Sequence, residues 1–398
     1  MTNFNFPRII LKSGKDRSVK RLHPWIFSGA IKKIIGGAVD GENVAVFDNN
    51  ENFLGLGHYQ KNGSISVRVF TFKEVTPDKN FWKEKIVSAI KTRECLGLIS
   101  STQTNVFRVI HGEGDGFPGF ICDYYNGILV FQAHSLGMYN LEEVFKEIFL
   151  EVFPKEILSI YDKSEKTLSK SGGTTVQNKF LYGDKFQTEV NEYGMKFMVN
   201  VVDGQKTGYF IDQRENRNLL RQYSLGKTVL NMFCYTGGFS IAALKGGAKH
   251  VTSVDASQTA TDLASENAKI NSLEKNHEPV TADGFEFLDN MEKGKYDLII
   301  LDPPAFAKHV SAVNQALKGY QRINCAAMEK IASGSILFTF SCSQAVDKLS
   351  FRMAVMEASI KAGRKIKILH QLSQPSDHPI SMYHPDGEYL KGLVLYVE

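Results

Sequence analysis

The sequence predicts an α/β protein: a doubly wound parallel sheet over residues 186–398, preceded by a small β-barrel (residues 1–73) and a mixed α/β segment (residues 74–185). Three observations carry this. From residue 186 onward, strand-like and helix-like stretches alternate, which argues for parallel pairing through crossover helices. Those strands are near-continuous apolar runs, as expected when helices cover both faces. The first 73 residues instead show short alternating strands punctuated by polar turns, and no helical period. A chain of 398 residues is also too long for one ordinary core.

In the leading segment, "ENVAVFDNNENFLGLGHY" alternates at Val44 and Val46, turns through Asp48 to Asn52, and resumes at Phe53. This is a hairpin, and "SISVRVFTF" is a further strand. In the middle segment "FWKEKIVSAIKTRECLGL" and "NLEEVFKEIFLEVF" have helical period. Between them "FRVIHGEGDGFPGFICDYYNGILVFQA" reads as a strand, a Gly-rich turn and two more strands. No catalytic constellation is apparent there. After the hairpin "FQTEVNEYGMKFMVNVV" and the helical end of "DGQKTGYFIDQRENRNLLRQY", the alternation begins. The strands are "KTVLNMF", "HVTSVDA", "EPVTAD", "YDLIILD" and "SILFTFS". The helices are "GGFSIAALKGG", "TATDLASENAKINSL", "GFEFLDNME", "NQALKGYQRINCAAMEKIAS" and "KLSFRMAVMEASIKAG".

With 43% hydrophobic and 23% charged residues, the composition is that of a soluble globular protein. The N-terminus lacks a basic stretch followed by an apolar one, so no secretion signal is expected. No apolar run is long enough for a bilayer. Five scattered cysteines (Cys95, Cys122, Cys234, Cys325, Cys342) show neither zinc-ligand spacing nor a disulfide framework. Together these predict a cytoplasmic protein with reduced thiols and no metal. Residues 1–33 hold eight Lys or Arg against Asp16 alone, a local charge of +7 in a chain of net +4. A basic leading segment is either a polyanion contact or a solvated edge; Lys12, Lys15, Lys20 and Arg21 are its candidate phosphate ligands.

Ligands of open α/β sheets sit beyond the carboxyl ends of the strands. At the first such end lies "NMFCYTGGFS", whose Gly237 and Gly238 let backbone approach a ligand and open a helix. The spacing is not that of a dinucleotide fingerprint. The second strand ends in Asp255, a carboxylate able to accept from two ribose hydroxyls. The third ends in Asp283, placed for an adenine amine, and the fourth in Asp302-Pro303-Pro304-Ala305-Phe306, where two prolines make a stiff corner. Each acid alone might merely cap a helix. Their order at successive strand ends points to a nucleoside-type cofactor.

This order resembles the S-adenosylmethionine-dependent methyltransferases of Rossmann-like fold. "GYFIDQRENR", "VLNMFCYTGGFSIAAL", "VTSVDAS", "LDPPAFAK" and "FTFSCS" further resemble the ribosomal large-subunit methyltransferase I family, which forms 5-methylcytosine in 23S rRNA. "GEGDGFPGFICDYY" and the N-terminal stretch, similar to a PUA RNA-binding barrel, extend the likeness over nearly the whole chain. The resemblance implies that Phe233, Tyr235, Thr236 and Gly237 line the methionine and ribose of S-adenosylmethionine. Asp255 with Ala256 would hold the ribose, Asp283 with Gly284 the adenine, and Asp302 the methionine end. Gln213 and Arg214 would reach the carboxylate. It also implies a C-terminal antiparallel hairpin, which "KIKILHQL" and "LKGLVLYVE" fit. Ribosomal RNA is the expected partner; the oligomeric state stays open, a homodimer included.

Cys342, in "FTFSCS", ends the fifth strand beside the fourth. A thiolate there could add to C6 of cytosine and make C5 nucleophilic. The alternative is an idle core thiol. No second cysteine directly follows Pro304, where Ala305 and Phe306 stand, so the base for the C5 proton is unidentified, with Asp302 the candidate. The same corner supports a different reading, methylation of an exocyclic amine with Pro303, Pro304 and Phe306 holding the base. A third is a non-catalytic RNA-binding assembly factor. "HPDGEYLKG" is expected to shape the rim of the site.

Overall fold

A computed structural model describes residues 6–168, 176–307 and 309–398; Lys308, the last residue of "LDPPAFAK", lies outside them. Among the described residues the strands form four sheets. Strands β1 (Arg8–Leu11), β2 (Trp25–Phe27), β3 (Ile31–Ile35), β4 (Asn43–Phe47), β5 (Phe53–Tyr59) and β6 (Ile65–Thr71) build the first, in the order β2-β6-β5-β4-β1-β3. The expected hairpin is β4–β5, antiparallel from Asn43 opposite His58 to Phe47 opposite Phe53. Strands β7 (Val106–His111), β8 (Phe120–Tyr125), β9 (Ile128–Ala133), β10 (Ser159–Asp162) and β11 (Lys179–Tyr182) form the second sheet. β12 (Gln187–Glu192) and β13 (Met195–Asn200) pair alone.

The chain divides into two compact units, where the sequence suggested three consecutive domains. One unit is Met1–Val190, Val199–Ile211 and Ser376–Gly387; the other is Asn191–Met198, Asp212–Pro375 and Glu388–Glu398. The reason lies in β4. Val44 and Val46 face a small core with Ile9, Val67 and Val69. Ala45 between them joins Leu56, Phe70, Trp82, Phe107 and Phe120 in the core of the middle segment. Strand alternation thus buries both faces of the first sheet, and two expected domains share a core. A second departure is Ser376–Gly387, whose Asp377 carboxylate accepts the backbone N–H of Arg108 at 2.9 Å.

In this first unit His58 is buried, its Nδ1 unpartnered among the described residues, and burial pushes its pKa down to about 3. The unfolded chain, at about 6.5, then binds the proton more readily. Stability contributed by neutral His58 is complete above about pH 6.5 and falls as pH drops from there toward 3, by up to about 1.4 kcal/mol per pH unit. We expect His58→Phe to flatten the acid limb of a pH series of thermal unfolding; a limb of unchanged slope would overturn this.

The second unit carries the seven-stranded sheet. Its strands are β14 (Thr228–Met232), β15 (His250–Asp255), β16 (His277–Thr281), β17 (Leu298–Leu301), β18 (Ser335–Ser341), β19 (Ile366–Leu372) and β20 (Lys391–Val397), in the order β16-β15-β14-β17-β18-β20-β19. The first five run parallel, and β20 is antiparallel to both β18 and β19. β17 and β18 are wholly buried, as their apolar runs require, whereas β16 is a half-exposed edge. Of the charges in "DQRENR", Arg217 makes a buried bidentate pair with Glu192 of β12, at 2.7 and 2.6 Å.

Candidate active site

Strand order reverses at β14, which lies between β15 and β17, so the carboxyl ends of these strands flank the crevice such sheets use. The loop from Phe233 to Gly237 fills that end. Phe233, Tyr235 and Gly237 take φ of 59°, 45° and 77°. Two non-glycine residues in the left-handed region within one loop are costly, and such strain clusters where a ligand must be met. The loop is held from three sides. Tyr235 N–H donates to Asp255 Oδ2 at 3.0 Å. The buried Asn267 donates through Nδ2 to Thr236 O at 2.8 Å. Cys234 N–H donates to Val254 O at 3.0 Å. A Cβ on Gly237 would stand 2.9 Å from Ala264 Cβ and 3.2 Å from its Cα, so glycine is required for space as well as for φ.

Asp255 also accepts from Ser257 N–H at 3.0 Å, through Oδ1. Each oxygen therefore takes one backbone donor, and a carboxylate has about four acceptor sites; the set fits a diol. Ala256 next to it is exposed. Asp283 serves a duty that the sequence left as the alternative. Its Oδ1 accepts from Phe285 N–H and Glu286 N–H, at 2.9 and 3.0 Å, capping the helix Gly284–Asn290. Gly284 lets the Phe233 ring approach; a Cβ there would lie 2.7 Å from Phe233 Cε1. Gln213 and Arg214 are both buried. Gln213 Oε1 accepts from Asn216 at 2.6 Å, and Arg214 Nε donates to Glu215 Oε1 at 3.1 Å.

At the next two strand ends the structure brings Cys342 and the Asp302 corner together. β17 and β18 are neighbours, with Leu301 opposite Thr339. Cys342 Sγ lies 4.0 Å from Pro303 O. The thiol is half-buried between Ser341 and Ser343, both fully buried. Ser341 Oγ donates to Tyr320 OH at 2.9 Å, and Tyr320 OH meets Ser343 Oγ at 2.9 Å. Ala307 N–H reaches Ser343 Oγ at 3.2 Å. From the antiparallel strand, buried Lys391 donates through Nζ to Ser343 O at 2.6 Å. Burial pushes the Lys391 pKa down to about 8, against a rise from its charge interactions with Cys342, Glu388 and Asp347. Cys234, by contrast, is buried in the loop from Phe233 to Gly237, and burial drives its thiol pKa up.

Phe306, expected to meet the base, is half-buried. Its ring neighbours those of Phe285 (centroids 6.2 Å, 29°) and Tyr320 (4.8 Å, 39°), and Gly319 lies close to it. It stays partly exposed at the edge of the core. Tyr320 and Lys391 are the members of this site that sequence reasoning missed or left open. The "YLKG" lysine was visible, but only the pairing of Ser341 with Lys391 across β18 and β20 shows where it goes. The preceding "HPDG" falls in the other unit, where His384 packs on Trp25 (centroids 4.2 Å) and His23 (5.2 Å).

In the first unit Lys12, Lys15 and Arg21 are exposed. Lys15 lines a cavity of about 290 Å³ with Trp25 and Phe27, the latter 48% exposed. Lys12 Nζ donates to Gly29 O at 2.9 Å. Lys20 is exposed too, and its ammonium pairs with Asp16 at 2.5 Å and Asp48 at 3.1 Å. No helix among the described residues is long and apolar enough to cross a membrane.

Residues 172–386 match a family described as S-adenosylmethionine-dependent methyltransferase, and residues 9–72 match a PUA-like domain. The chain is 39% identical to the ribosomal RNA large subunit methyltransferase I of Aeromonas hydrophila, over 97% of this chain and 98% of that one. It is 36% identical to the protein of the same name from Klebsiella pneumoniae over the full length of both. Among solved structures it resembles SMU.776, assigned as a methyltransferase and crystallised with SAH, at 25% identity and a TM-score of 0.85, covering 98% of this chain and 99% of that one.

Proposed function

The chain belongs to the ribosomal RNA large subunit methyltransferase I family of S-adenosylmethionine-dependent methyltransferases, and from that membership we propose that it methylates C5 of a cytosine in large-subunit ribosomal RNA through a covalent bond to Cys342. The observation that carries the reading is the half-buried Cys342 thiol against the Pro303 carbonyl, at the mouth shared with the cofactor loop. S-adenosylmethionine, when bound, supplies an electrophilic methyl carbon. Phe233, Tyr235, Thr236 and Gly237 line its methionine and ribose, and Asp255, beside Ala256, accepts the ribose hydroxyls. Asp283, through the oxygen not used for capping, and Gly284 border the adenine. Gln213 and Arg214 take the methionine carboxylate, and Asp302 borders the methionine end.

The Cys342 thiolate adds to C6, forming the S–C6 bond and moving the C5=C6 electrons toward C5. Once C5 carries the methyl group, its proton passes to a base, for which Asp302 is the candidate, and the returning electrons restore the C5=C6 double bond and expel the thiolate. Pro303 and Pro304 stiffen the wall against which the base lies. The test is labelled S-adenosylmethionine with undermethylated large-subunit RNA, digested to nucleosides. Label in 5-methylcytidine is expected; label in an N-methylated base would overturn the proposal.

The PUA-like unit would hold RNA through phosphates. Alanine at Lys12, Lys15, Lys20 and Arg21 should weaken binding and flatten its salt dependence, each lost contact removing roughly 0.7–0.9 from the log–log slope. Lys20, already paired with Asp16 and Asp48, should contribute least. Equal slopes for wild type and the quadruple variant would remove this surface from the interface.

A further inference from the structure

We propose that Lys391 is the electrostatic partner of Cys342, its buried ammonium holding the thiol as thiolate and positioning the loop that carries it. This rests on the reading of Cys342 as nucleophile. A buried lysine is rare and needs a reason. Lys391 is 3% exposed and sits in the first position of β20, directly across from Ser341. Its ammonium donates to the carbonyl of Ser343 at 2.6 Å, so the charge is drawn to the backbone immediately after Cys342.

The charged groups around it are accounted for. Glu388 pairs with Lys348. Asp347 caps the helix Lys348–Lys361, accepting from Ser350 N–H at 2.8 Å and Ser350 Oγ at 2.7 Å. Both acids interact with Lys391 only through charge, as does Cys342, and Lys348 opposes it. Of these four groups, Cys342 is the one next to the carbonyl that Lys391 holds. Tyr320, hydrogen-bonded to both neighbouring serines, also feels charge on Cys342. A cation beside a thiol favours its ionised form, and the thiolate is the nucleophile. In the step served, the thiol proton leaves to solvent, the S–C6 bond forms, and the thiolate returns when that bond breaks; Lys391 exchanges no atom with the substrate. The low pKa of Lys391, about 8, adds a limit: its support fades as pH rises through that value.

The test is peptide-resolved alkylation of the intact chain by iodoacetamide across pH 5–10, with no RNA present. Exposed Cys95, in the other unit, is the internal control. Lys391→Gln keeps a donor for the Ser343 carbonyl but loses the charge; Lys391→Arg keeps the charge. We expect the pH midpoint for Cys342 to rise by at least about one unit in Lys391→Gln, slowing alkylation near pH 7 about tenfold. Lys391→Arg should return it toward wild type, with Cys95 unchanged in all three. S-adenosylmethionine binding by calorimetry checks that each variant is folded. An unchanged Cys342 midpoint in folded Lys391→Gln would overturn the proposal and leave Lys391 as loop support. Should both substitutions raise the midpoint equally, the charge is not the cause and the proposal again fails. Failure of the underlying reading is seen separately, as methylation that survives Cys342→Ala.

Discussion

Cys342→Ala is expected to abolish 5-methylcytidine formation while leaving S-adenosylmethionine binding intact. Removing a covalent nucleophile lowers turnover by roughly 10⁴–10⁶-fold in the best-studied cases, and cytosine C5 has no comparable route without C6 addition. The side chain is half-buried and its recorded contact with Pro303 O is long, 4.0 Å, so truncation should disturb packing little. The same is not true of the neighbours. Ser343 is fully buried and is held by Tyr320, Ala307 and Lys391. Alanine there would leave Tyr320 and the Ala307 N–H short of a partner, a loss of about 1–3 kcal/mol. Calorimetry of cofactor binding and nucleoside analysis of the product, run on the same Cys342→Ala preparation, check the prediction. Retained 5-methylcytidine would make Cys342 a core thiol, whereas lost cofactor binding would mean that the substitution damaged the unit.

Gly237→Ala is expected to have the second largest effect, on cofactor affinity. The added Cβ meets Ala264 Cβ at 2.9 Å, and the φ of 77° is unfavourable for any L side chain. Left-handed strain of about 1–3 kcal/mol and overpacking of similar size act together. The loop can relieve both only by moving, which would draw Tyr235 N–H from Asp255 or the Thr236 carbonyl from Asn267. We expect affinity for S-adenosylmethionine to fall at least about 30-fold, with a lowered melting temperature. Gly226→Ala is the comparison: it shares a positive φ, 69°, but its Cβ meets nothing within 4 Å. Equal losses in the two variants would mean that strain, and not the approach to Ala264, sets the effect.

Much of the fold was legible because its elements are local. The strand "SILFTFS" is β18 to the residue, since an uninterrupted apolar run between polar ends admits little else. The hairpin at Val44 and Val46 followed from a two-residue period and a polar turn. β10 and β11 were missed; "SIYD" and "KFLY" are four residues each, too short for a period to declare itself. The shared core of the first unit was invisible because Ala45 is small and unremarkable in sequence, yet it belongs to the buried cluster that holds Phe70 and Trp82.

The candidate site divides in the same way. Sequence alone determined the loop with Gly237, the acids at successive strand ends, the Asp-Pro-Pro corner and the thiol that ends β18. These residues sit at fixed offsets from elements that local pattern defines, and a parallel sheet sends all its strand ends to one side. Only the tertiary structure decided what each polar group is free to do. It spent Asp283 Oδ1 on a helix cap, set the Phe306 ring beside Phe285 and Tyr320, paired Lys20 with two acids, and set the Lys391 ammonium on the carbonyl beside Cys342. Such assignments depend on partners tens to hundreds of residues away, brought close by sheet order and helix packing, and no local pattern encodes those distances.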